Sequence, residues 1–240
     1  MAKREERDRC LTGIEGLDNI LGGGVPLSNA VLLAGACGTG KTILGFEFLV
    51  RGMLSGEPGM FISSTETPER LFSNIPSFVF FNDSMLGKGK LTILPLQELM
   101  GSAGLPGSDM DEASVKKLVA AMAKMLAAHK ARRLVIDALD AITSEIKDVT
   151  VQAMLMKELS ALLQKNACTA MLVTGPESCD RVEGRIADGI IVMGNLERRG
   201  DLLRTMQVMK MKGTRHSRSK YVIDLTSAGV LVTPLLKGGL

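Results

Sequence analysis

The sequence predicts an α/β fold, a mostly parallel, twisted sheet with helices on both faces and an antiparallel extension toward the C-terminus. Apolar runs of strand length alternate with segments of helical period through most of the chain, an order typical of parallel sheets joined by crossover helices. A glycine-rich loop lies between one such strand and the next helix. After residue 188 the strand patterns follow one another, which favours antiparallel pairing in that part.

Composition restricts the class of protein before any motif is considered. The chain has 240 residues, 45% hydrophobic and 23% charged, as in soluble globular proteins, and its four cysteines form no C-x-x-C pair. The charged start MAKREERDR is unlike a secretory signal, and no apolar run approaches the roughly 18 residues of a membrane span. A net charge of +3 and 3% aromatic residues argue against nucleic-acid binding. We therefore expect a soluble cytoplasmic protein without a disulfide framework or a zinc site.

Local patterns in the first half predict three strands and two helices. Ala30–Ala34 is a continuous apolar run typical of a buried strand, and the helix after it should occupy 41–54, before the stop signal SGEPG. A second strand is expected at Met60–Ser63 and a third, short one at Leu91–Leu94. The segment Thr67–Arg70 is typical of a helix start because a proline stands at its first helical position.

The second half predicts two helices and then several strands. Apolar residues recur at helical spacing at 115, 118, 119, 122, 125 and 126, and again at 151, 154, 155, 159, 162 and 163. Asp148 and Thr150 are candidate caps of the second helix, whereas 101–109, with three glycines and a proline, should be a loop. Strands are expected at Leu134–Asp137, Thr169–Val173, Gly189–Met193, Arg204–Lys212, Tyr221–Leu225 and Val230–Val232. Because no internal repeat or linker interrupts it, 1–240 should be one domain.

A phosphate loop is the clearest functional signal. The residues concerned are Gly35, Ala36, Cys37, Gly38, Thr39, Gly40, Lys41 and Thr42, which match G-x-x-x-x-G-K-[ST] between a predicted strand and a predicted helix. The glycines let backbone N–H groups surround phosphates, and the helix N-terminus adds the positive end of its dipole. Lys41 should contact the outer phosphates and the Thr42 hydroxyl should ligate Mg²⁺. The sequence therefore predicts that these eight residues bind a nucleotide and its magnesium ion.

A phosphate loop of this kind requires an acidic residue beside the magnesium ion, at the end of a strand about 100 residues after the loop. Asp137 ends the predicted strand Leu134–Asp137, so we predict that it contacts the nucleotide site and orders the magnesium shell with Thr42. The alternative is that Asp137 only caps the strand end. Asp140, three residues on, is expected to be a solvated or capping acid.

Several segments together resemble the KaiC-type ATPases of the RecA superfamily. In chain order they are TGIEGLD at 12–18, GGGVP at 22–26, the phosphate loop, FISSTETP at 61–68, Asp137, IADG at 186–189 and KMKGTRH at 210–216. The resemblance covers nearly the whole chain, with 77–112 less similar to the family. It implies a RecA-like domain that binds ATP and Mg²⁺ at the interfaces of a ring-shaped homo-oligomer, expected to be a hexamer. The chain would correspond to one KaiC domain, whereas the cyanobacterial clock protein is similar to two fused ones.

The catalytic acids depart from the family pattern. KaiC-type proteins usually carry two adjacent acids after the second strand, and the first is thought to activate the attacking water, whereas this chain has Thr65 and Glu66 there. A threonine hydroxyl is too weakly basic to hold a proton near neutral pH. Glu66 is therefore the predicted base, in a site with weak activity. The alternative is that Glu66 is only an acid in the first turn of the next helix, where it favours the helix dipole.

Lys210 and Lys212 complete the predicted catalytic set. Residues two apart on a strand point to the same face, so both ammonium groups should project together, with Met209 and Met211 on the other side. The resemblance implies that this pair reaches a neighbouring subunit's ATP and stabilises charge on the transferred phosphoryl group. The family more often has arginine at the second position, and lysine lacks its bidentate fork. The alternative is a solvated basic strand edge.

Three functions follow from these observations. The favoured one is a ring-forming ATPase that hydrolyses MgATP slowly in a regulatory or signalling role with an unidentified protein partner. The second is a non-catalytic module whose assembly ATP controls, an alternative that Thr65 keeps open. The third is a recombinase-like DNA-binding ATPase, since the segment 198–220 contains eight Lys or Arg and one acid, although a subunit interface facing ATP explains it better. Gly184 and Arg185 replace the Ser-Thr pair that clock members phosphorylate, so that autokinase cycle should be absent.

Overall fold

The computed structural model describes residues 9–64, 91–105 and 107–235, together with residues 67, 70, 71, 73, 79 and 81. The predicted base Glu66 lies outside the described residues, as do two of the four residues of the predicted helix start at 67–70. Among the helices that are described, none is both long enough and apolar enough to cross a bilayer.

One large sheet organises the chain. The described strands are β1 Arg9–Cys10, β2 Val25–Pro26, β3 Ala30–Gly35, β4 Gly59–Ser63, β5 Leu91–Pro95, β6 Arg133–Asp137, β7 Thr169–Thr174, β8 Gly189–Arg198, β9 Asp201–Met211, β10 Lys220–Thr226 and β11 Gly229–Pro234. Strands β3 to β11 form a sheet in the order β11-β10-β9-β8-β3-β7-β6-β4-β5, and β1 pairs separately with β2. The strands from β8 to β5 in this order pair in parallel, whereas β9, β10 and β11 are antiparallel. The predicted sheet architecture is confirmed.

The helices begin and end largely where local sequence signals place them. They are α1 Leu17–Ile20, α2 Lys41–Leu54, α3 Leu96–Ser102, α4 Glu112–Ala128, α5 Asp140–Thr143, α6 Val149–Asn166 and α7 Val182–Ile186, with a 3-10 helix at Pro176–Cys179. The Asp148 carboxylate caps α6 by accepting the Thr150 N–H at 2.7 Å, so Asp148 is the cap and Thr150 lies inside the helix. The expected loop at 101–109 starts only after Ser102, because α3 occupies its first two positions.

Helices cover both faces of the sheet, as predicted. Val31 and Leu33 of β3 pack in a core with Phe46 of α2, whereas Ala30 and Leu32 belong to a second core with residues of α4 and α6. All four β3 side chains are 0–1% exposed, which follows from the two-residue period of a strand between two helical layers. The phosphate loop therefore leaves the sheet from its most enclosed strand.

Arg133, the first residue of β6, joins three other parts of the chain. Its guanidinium donates to the Glu57 carboxylate at 2.6 Å, to the Phe48 carbonyl at 2.8 Å and to the Leu11 carbonyl at 2.7 Å. It also lies over the Phe48 ring, 4.6 Å from the centroid, and its side chain is only 3% exposed. Arg133 thus links the sheet to α2 and to the N-terminal segment.

A buried carboxylate ties the β10–β11 hairpin to α2. Glu47 is fully buried, accepts the Val230 N–H at 2.7 Å and forms an ion pair with Arg51 at 3.0 Å. Arg51 in turn donates to the Ala228 carbonyl in the turn of the hairpin at 3.0 Å. Burial raises the pKa of the Glu47 carboxyl above its ordinary value, against the lowering effect of the Val230 and Arg51 hydrogen bonds. The helix that begins at the phosphate loop therefore also holds the antiparallel edge of the sheet.

Candidate active site

The phosphate loop connects β3 to α2 through backbone conformations that glycine permits. Gly40 has φ of 96° and caps the N-terminus of α2, a left-handed conformation that a β-carbon would strain. Gly35 packs so closely on the Met193 carbonyl oxygen of β8 that any β-carbon there would overlap it. The first turn of α2 carries no acidic residue, so its positive dipole end is not neutralised locally. The loop is therefore suited to an anion.

The loop's two reactive side chains are already held in place. The Lys41 ammonium donates to the Gly35 carbonyl at 2.6 Å and to the Ala36 carbonyl at 2.8 Å. The Thr42 hydroxyl donates to the Asp137 carboxylate at 2.6 Å, which brings together two residues that are 95 positions apart in sequence. A hydroxyl and a carboxylate are hard oxygen ligands of the kind that Mg²⁺ prefers, so this pair fits the ion that the loop pattern implies. The predicted proximity of Thr42 and Asp137 is thus found in the structure.

A cavity of about 740 Å³ lies in front of the loop. Seven of the eight predicted loop residues line it, and the exception is Thr39, whose buried hydroxyl donates to the Ala36 carbonyl at 2.9 Å. Residues for which no site role was predicted also line the cavity, among them Thr174, Gly175, Glu177, Arg204 and Leu225. Thr174 stands at the end of an apolar strand pattern, just as Asp137 does. The reasoning that predicted Asp137 from that place would therefore also have found Thr174. Arg204 and Leu225 come from the antiparallel extension, and no motif marks them.

Asp140 braces the turn after β7, although a solvated or capping acid was expected. Its carboxylate accepts the Thr174 hydroxyl at 2.6 Å, the Gly175 N–H at 2.7 Å and the Ser178 hydroxyl at 3.2 Å. These contacts cross from the end of β6 to the end of β7, because neighbouring parallel strands finish at the same edge of the sheet. Asp140 therefore shapes the part of the cavity wall that lies at the ends of β6 and β7.

Ser64 fixes the end of β4 against the strand that carries Asp137. The Ser64 N–H donates to the Asp137 carbonyl at 2.7 Å, and the Ser64 hydroxyl accepts the Ala138 N–H at 2.8 Å. Ser64 is the last described residue before Thr65 and Glu66. Ser64, two residues before the predicted base, is thus anchored to the backbone of Asp137 and Ala138.

Lys210 and Lys212 lie away from the cavity of their own chain. Lys210 pairs with Ile190 near the start of β8, whereas the loop residue Gly35 pairs with Met193, about 10 Å further along the strand. Neither lysine is therefore among the described residues that line the cavity in front of this chain's own phosphate loop.

Both lysines bind the C-terminal end of α7. The Lys210 ammonium donates to the carbonyls of Gly184 and Arg185 at 3.1 Å each, and the Lys212 ammonium to the Ile186 carbonyl and the Asp188 carboxylate at 3.0 Å each. Because both ammonium groups bind the same end of α7, the two side chains project together, as predicted. Burial, and then repulsion from Lys212, lower the pKa of the Lys210 ammonium.

The two methionines differ from expectation. Met211 is buried in the core, but Met209 is 47% exposed. The reason is an irregularity in the β8–β9 ladder, where Ile190 pairs with Lys210 and Ile191 pairs with Val208, so Met209 has no opposite residue.

Comparison with known proteins now identifies the family. A family model described as "ATPase: KaiC" matches residues 10–237. The chain belongs to the KaiC family of ATPases. A UPF0273 protein of Methanopyrus kandleri is 32% identical over 95% of the chain and 92% of the relative. The circadian clock oscillator protein KaiC of Parathermosynechococcus lividus is 29% identical over 93% of the chain but only 42% of the relative. The KaiC-family chain thus spans less than half the length of that clock protein.

A solved structure agrees with the family and the fold. The crystal structure of a KaiC-like protein from Pyrococcus horikoshii superposes with a TM-score of 0.78 at 29% identity, covering 94% of this chain and 99% of that one. The RecA-like fold predicted from the resemblance is therefore confirmed for this KaiC-family chain.

Proposed function

We propose that this KaiC-family chain, as a single ATPase domain, binds MgATP in the 740 Å³ cavity and hydrolyses it slowly. The observation that carries the proposal is the Thr42–Asp137 contact of 2.6 Å beside the Lys41 ammonium and the free N-terminus of α2. Loop N–H groups and Lys41 bind the phosphates, and Leu225 and Arg204 line the same cavity. Magnesium, held by Thr42 and Asp137, would neutralise phosphate charge.

Glu66 is the proposed base for the attacking water, and Lys210 and Lys212 act on the ATP of a neighbouring subunit. Two findings support the second assignment. The lysines lie at the far end of the sheet from their own phosphate loop, and their ammonium groups share one anchoring point at the end of α7. A ring of identical subunits, proposed to be a hexamer, would bring that end of one chain to the cavity of the next.

Calorimetry tests nucleotide binding directly. Lys41→Ala should weaken MgATP binding by about 100-fold or more, because hydrogen bonds to a charged group contribute about 1.5–3 kcal/mol each and the lysine donates more than one. Lys124→Ala, an exposed lysine on α4, is the matched control and should leave the affinity unchanged. Equal affinity in wild type and Lys41→Ala would overturn the assignment of the loop.

A mixing experiment tests the action between subunits. Lys210→Ala and Lys41→Ala chains should each be inactive alone. In mixed rings, about a quarter of interfaces pair an intact loop with an intact Lys210, since each intact partner has a probability of about one-half in a head-to-tail ring. Phosphate release should therefore recover to about a quarter of the wild-type rate. No recovery in a sample shown to exchange subunits would refute the mechanism.

The second candidate is a module in which ATP controls assembly and partner binding without turnover. It is favoured by Thr65, which replaces the first of the usual catalytic acids. Steady-state phosphate release that never exceeds the Lys41→Ala background, with MgATP bound, would support this candidate. In either case we propose a cytoplasmic, regulatory protein with a protein partner rather than a DNA or membrane ligand.

A clock-type phosphorylation cycle is not proposed. Gly184 packs so closely on the Cys179 carbonyl oxygen that any β-carbon would overlap it. A hydroxyl-bearing side chain at that position therefore requires the 3-10 helix to move, which agrees with the absence of Ser and Thr at 184 and 185.

A further inference from the structure

Leu225 is an apolar side chain that the β10–β11 hairpin contributes to the nucleotide cavity. A β-carbon at Gly40 would lie 3.6 Å from both Leu225 δ-carbons, so Leu225 stands directly against the phosphate loop. An apolar side chain offers no donor to a phosphate, so within the cavity it suits the base or the ribose of a nucleotide. Leu225 is only partly buried, and its place depends on what holds the hairpin.

Glu47 of α2 holds the hairpin from inside the core. Its carboxylate is fully buried and accepts the Val230 N–H at 2.7 Å. Val230 is the residue opposite Leu225 in the β10–β11 ladder, so the two side chains lie on one face of the hairpin. Gly229 approaches so closely that any β-carbon there would overlap the Glu47 carboxylate. A displacement of Val230 at this contact would therefore displace Leu225 as well.

The turn between β10 and β11 is closed on itself and is bound to the same helix. The Thr226 hydroxyl donates to the Gly229 carbonyl at 2.9 Å and accepts the Ala228 N–H at 3.2 Å. Arg51, one helical turn after Glu47, pairs with the Glu47 carboxylate at 3.0 Å and donates to the Ala228 carbonyl at 3.0 Å. Because α2 begins at the phosphate loop, one helix holds both the loop and this part of the cavity wall.

We propose that Glu47 is a positioning residue for the nucleotide, which it serves by holding Leu225 against the base or the ribose. Glu47 does not itself line the cavity, and the inference rests on the function proposed above because it concerns the same cavity. An apolar side chain would fill the same volume without the cost of burying a charge, but it could not accept the Val230 N–H. The acceptor, rather than the volume, is therefore what this position supplies.

Two probes separate the Leu225 wall from the phosphate loop. Magnesium ATP contacts both, whereas magnesium tripolyphosphate has no base or ribose and contacts only the loop. Calorimetry on the nucleotide-free full chain should show that Leu225→Ala and Glu47→Met each weaken ATP binding by about 10-fold and leave tripolyphosphate binding unchanged. Methionine keeps the length of the side chain and removes the acceptor. Glu47→Gln keeps an amide oxygen for the Val230 N–H and should bind ATP nearly as wild type does.

Three further variants complete the design. Asp224→Ala is the matched control and should bind both probes as wild type does, because Asp224 is an exposed acid of the same hairpin that does not line the cavity. If Glu47 acts through Leu225, Glu47→Met should cost little further ATP affinity in the Leu225→Ala background. Arg51→Met removes the contact with the Ala228 carbonyl and should give a smaller loss confined to ATP, which keeps the proposal testable if Glu47→Met does not fold.

The outcomes separate this inference from the proposed function. Equal losses for the two probes in Glu47→Met, or additive losses of ATP affinity in the double variant, would overturn the inference, because they indicate a structural role that does not act through Leu225. ATP binding as weak in Glu47→Gln as in Glu47→Met would also overturn it. A wild-type chain that binds neither probe would instead refute the nucleotide site itself.

Discussion

Replacing Arg133 by alanine should destabilise the protein severely. The substitution removes three charged hydrogen bonds and a cation–π contact from a side chain that is 3% exposed. The carbonyls of Phe48 and Leu11 then lose their donor, and Glu57 loses its partner. Because the three partners come from different parts of the chain, no other single group replaces the guanidinium.

The magnitude follows from those contacts. Each hydrogen bond from a charged donor to a buried carbonyl contributes about 1.5–3 kcal/mol. The Glu57 pair contributes less, because the Glu57 side chain is 38% exposed and water replaces its partner. Adding a partly desolvated cation–π contact, we expect a loss of about 4 kcal/mol in the free energy of unfolding. For a chain of this size that corresponds to a fall of about 12 °C in Tm.

Urea unfolding followed by circular dichroism, with a parallel thermal scan, measures this loss. Arg132→Ala is the control, since Arg132 is the neighbouring residue but exposed, and its loss should be within about 0.5 kcal/mol. The loss in the free energy of unfolding for Arg133→Lys should lie between those of Arg133→Ala and Arg132→Ala, because lysine keeps the charge but lacks the fork of donors. A loss below 1 kcal/mol for Arg133→Ala would show that the contacts are replaceable and refute the reasoning.

Three further predictions concern turnover, pH and thiol chemistry. Glu66→Gln should suppress steady-state phosphate release while calorimetry shows nearly unchanged MgATP affinity; equal turnover would place the base elsewhere. Because burial raises the pKa of Glu47, folding favours its protonated form, so wild type should lose stability relative to Glu47→Gln as the pH rises from about 4 to about 7 in urea titrations. A stability difference that does not change with pH would contradict this. Burial raises the pKa of Cys10 to about 11 and of Cys168 to about 12, so neither should react with a thiol reagent at neutral pH, whereas exposed Cys37 should react and MgATP should slow its modification, as counted by mass spectrometry.

The parts of the fold that were predictable are those encoded locally. The bounds of α2 agree with the stop signal after Leu54, and the Asp148 cap of α6 with its position before an apolar stripe. The short helix α3 was missed because seven residues are too few to show a helical period. The bulge at Met209 was missed because it arises from pairing with β8, although the adjacent apolar residues Val208 and Met209 interrupt the alternation in the sequence of β9.

The candidate site divides in the same way. The phosphate loop and Asp137 were predictable because a motif and a strand end each carry a local signature. Arg204 and Leu225 were not, since they reach the cavity only because the antiparallel extension folds across the loop. Asp140 was misjudged because its three donors come from the end of another strand, and sequence spacing gives no information about that distance.

The lysine contacts at the end of α7 also have an entropic consequence. Ordering a free lysine side chain costs about 1.5–2 kcal/mol of rotamer freedom. Lys210 is already ordered in the single chain, where two of its three donors engage the carbonyls of Gly184 and Arg185. A phosphate oxygen presented by a neighbouring subunit would therefore meet a third donor on a side chain that has lost its freedom beforehand.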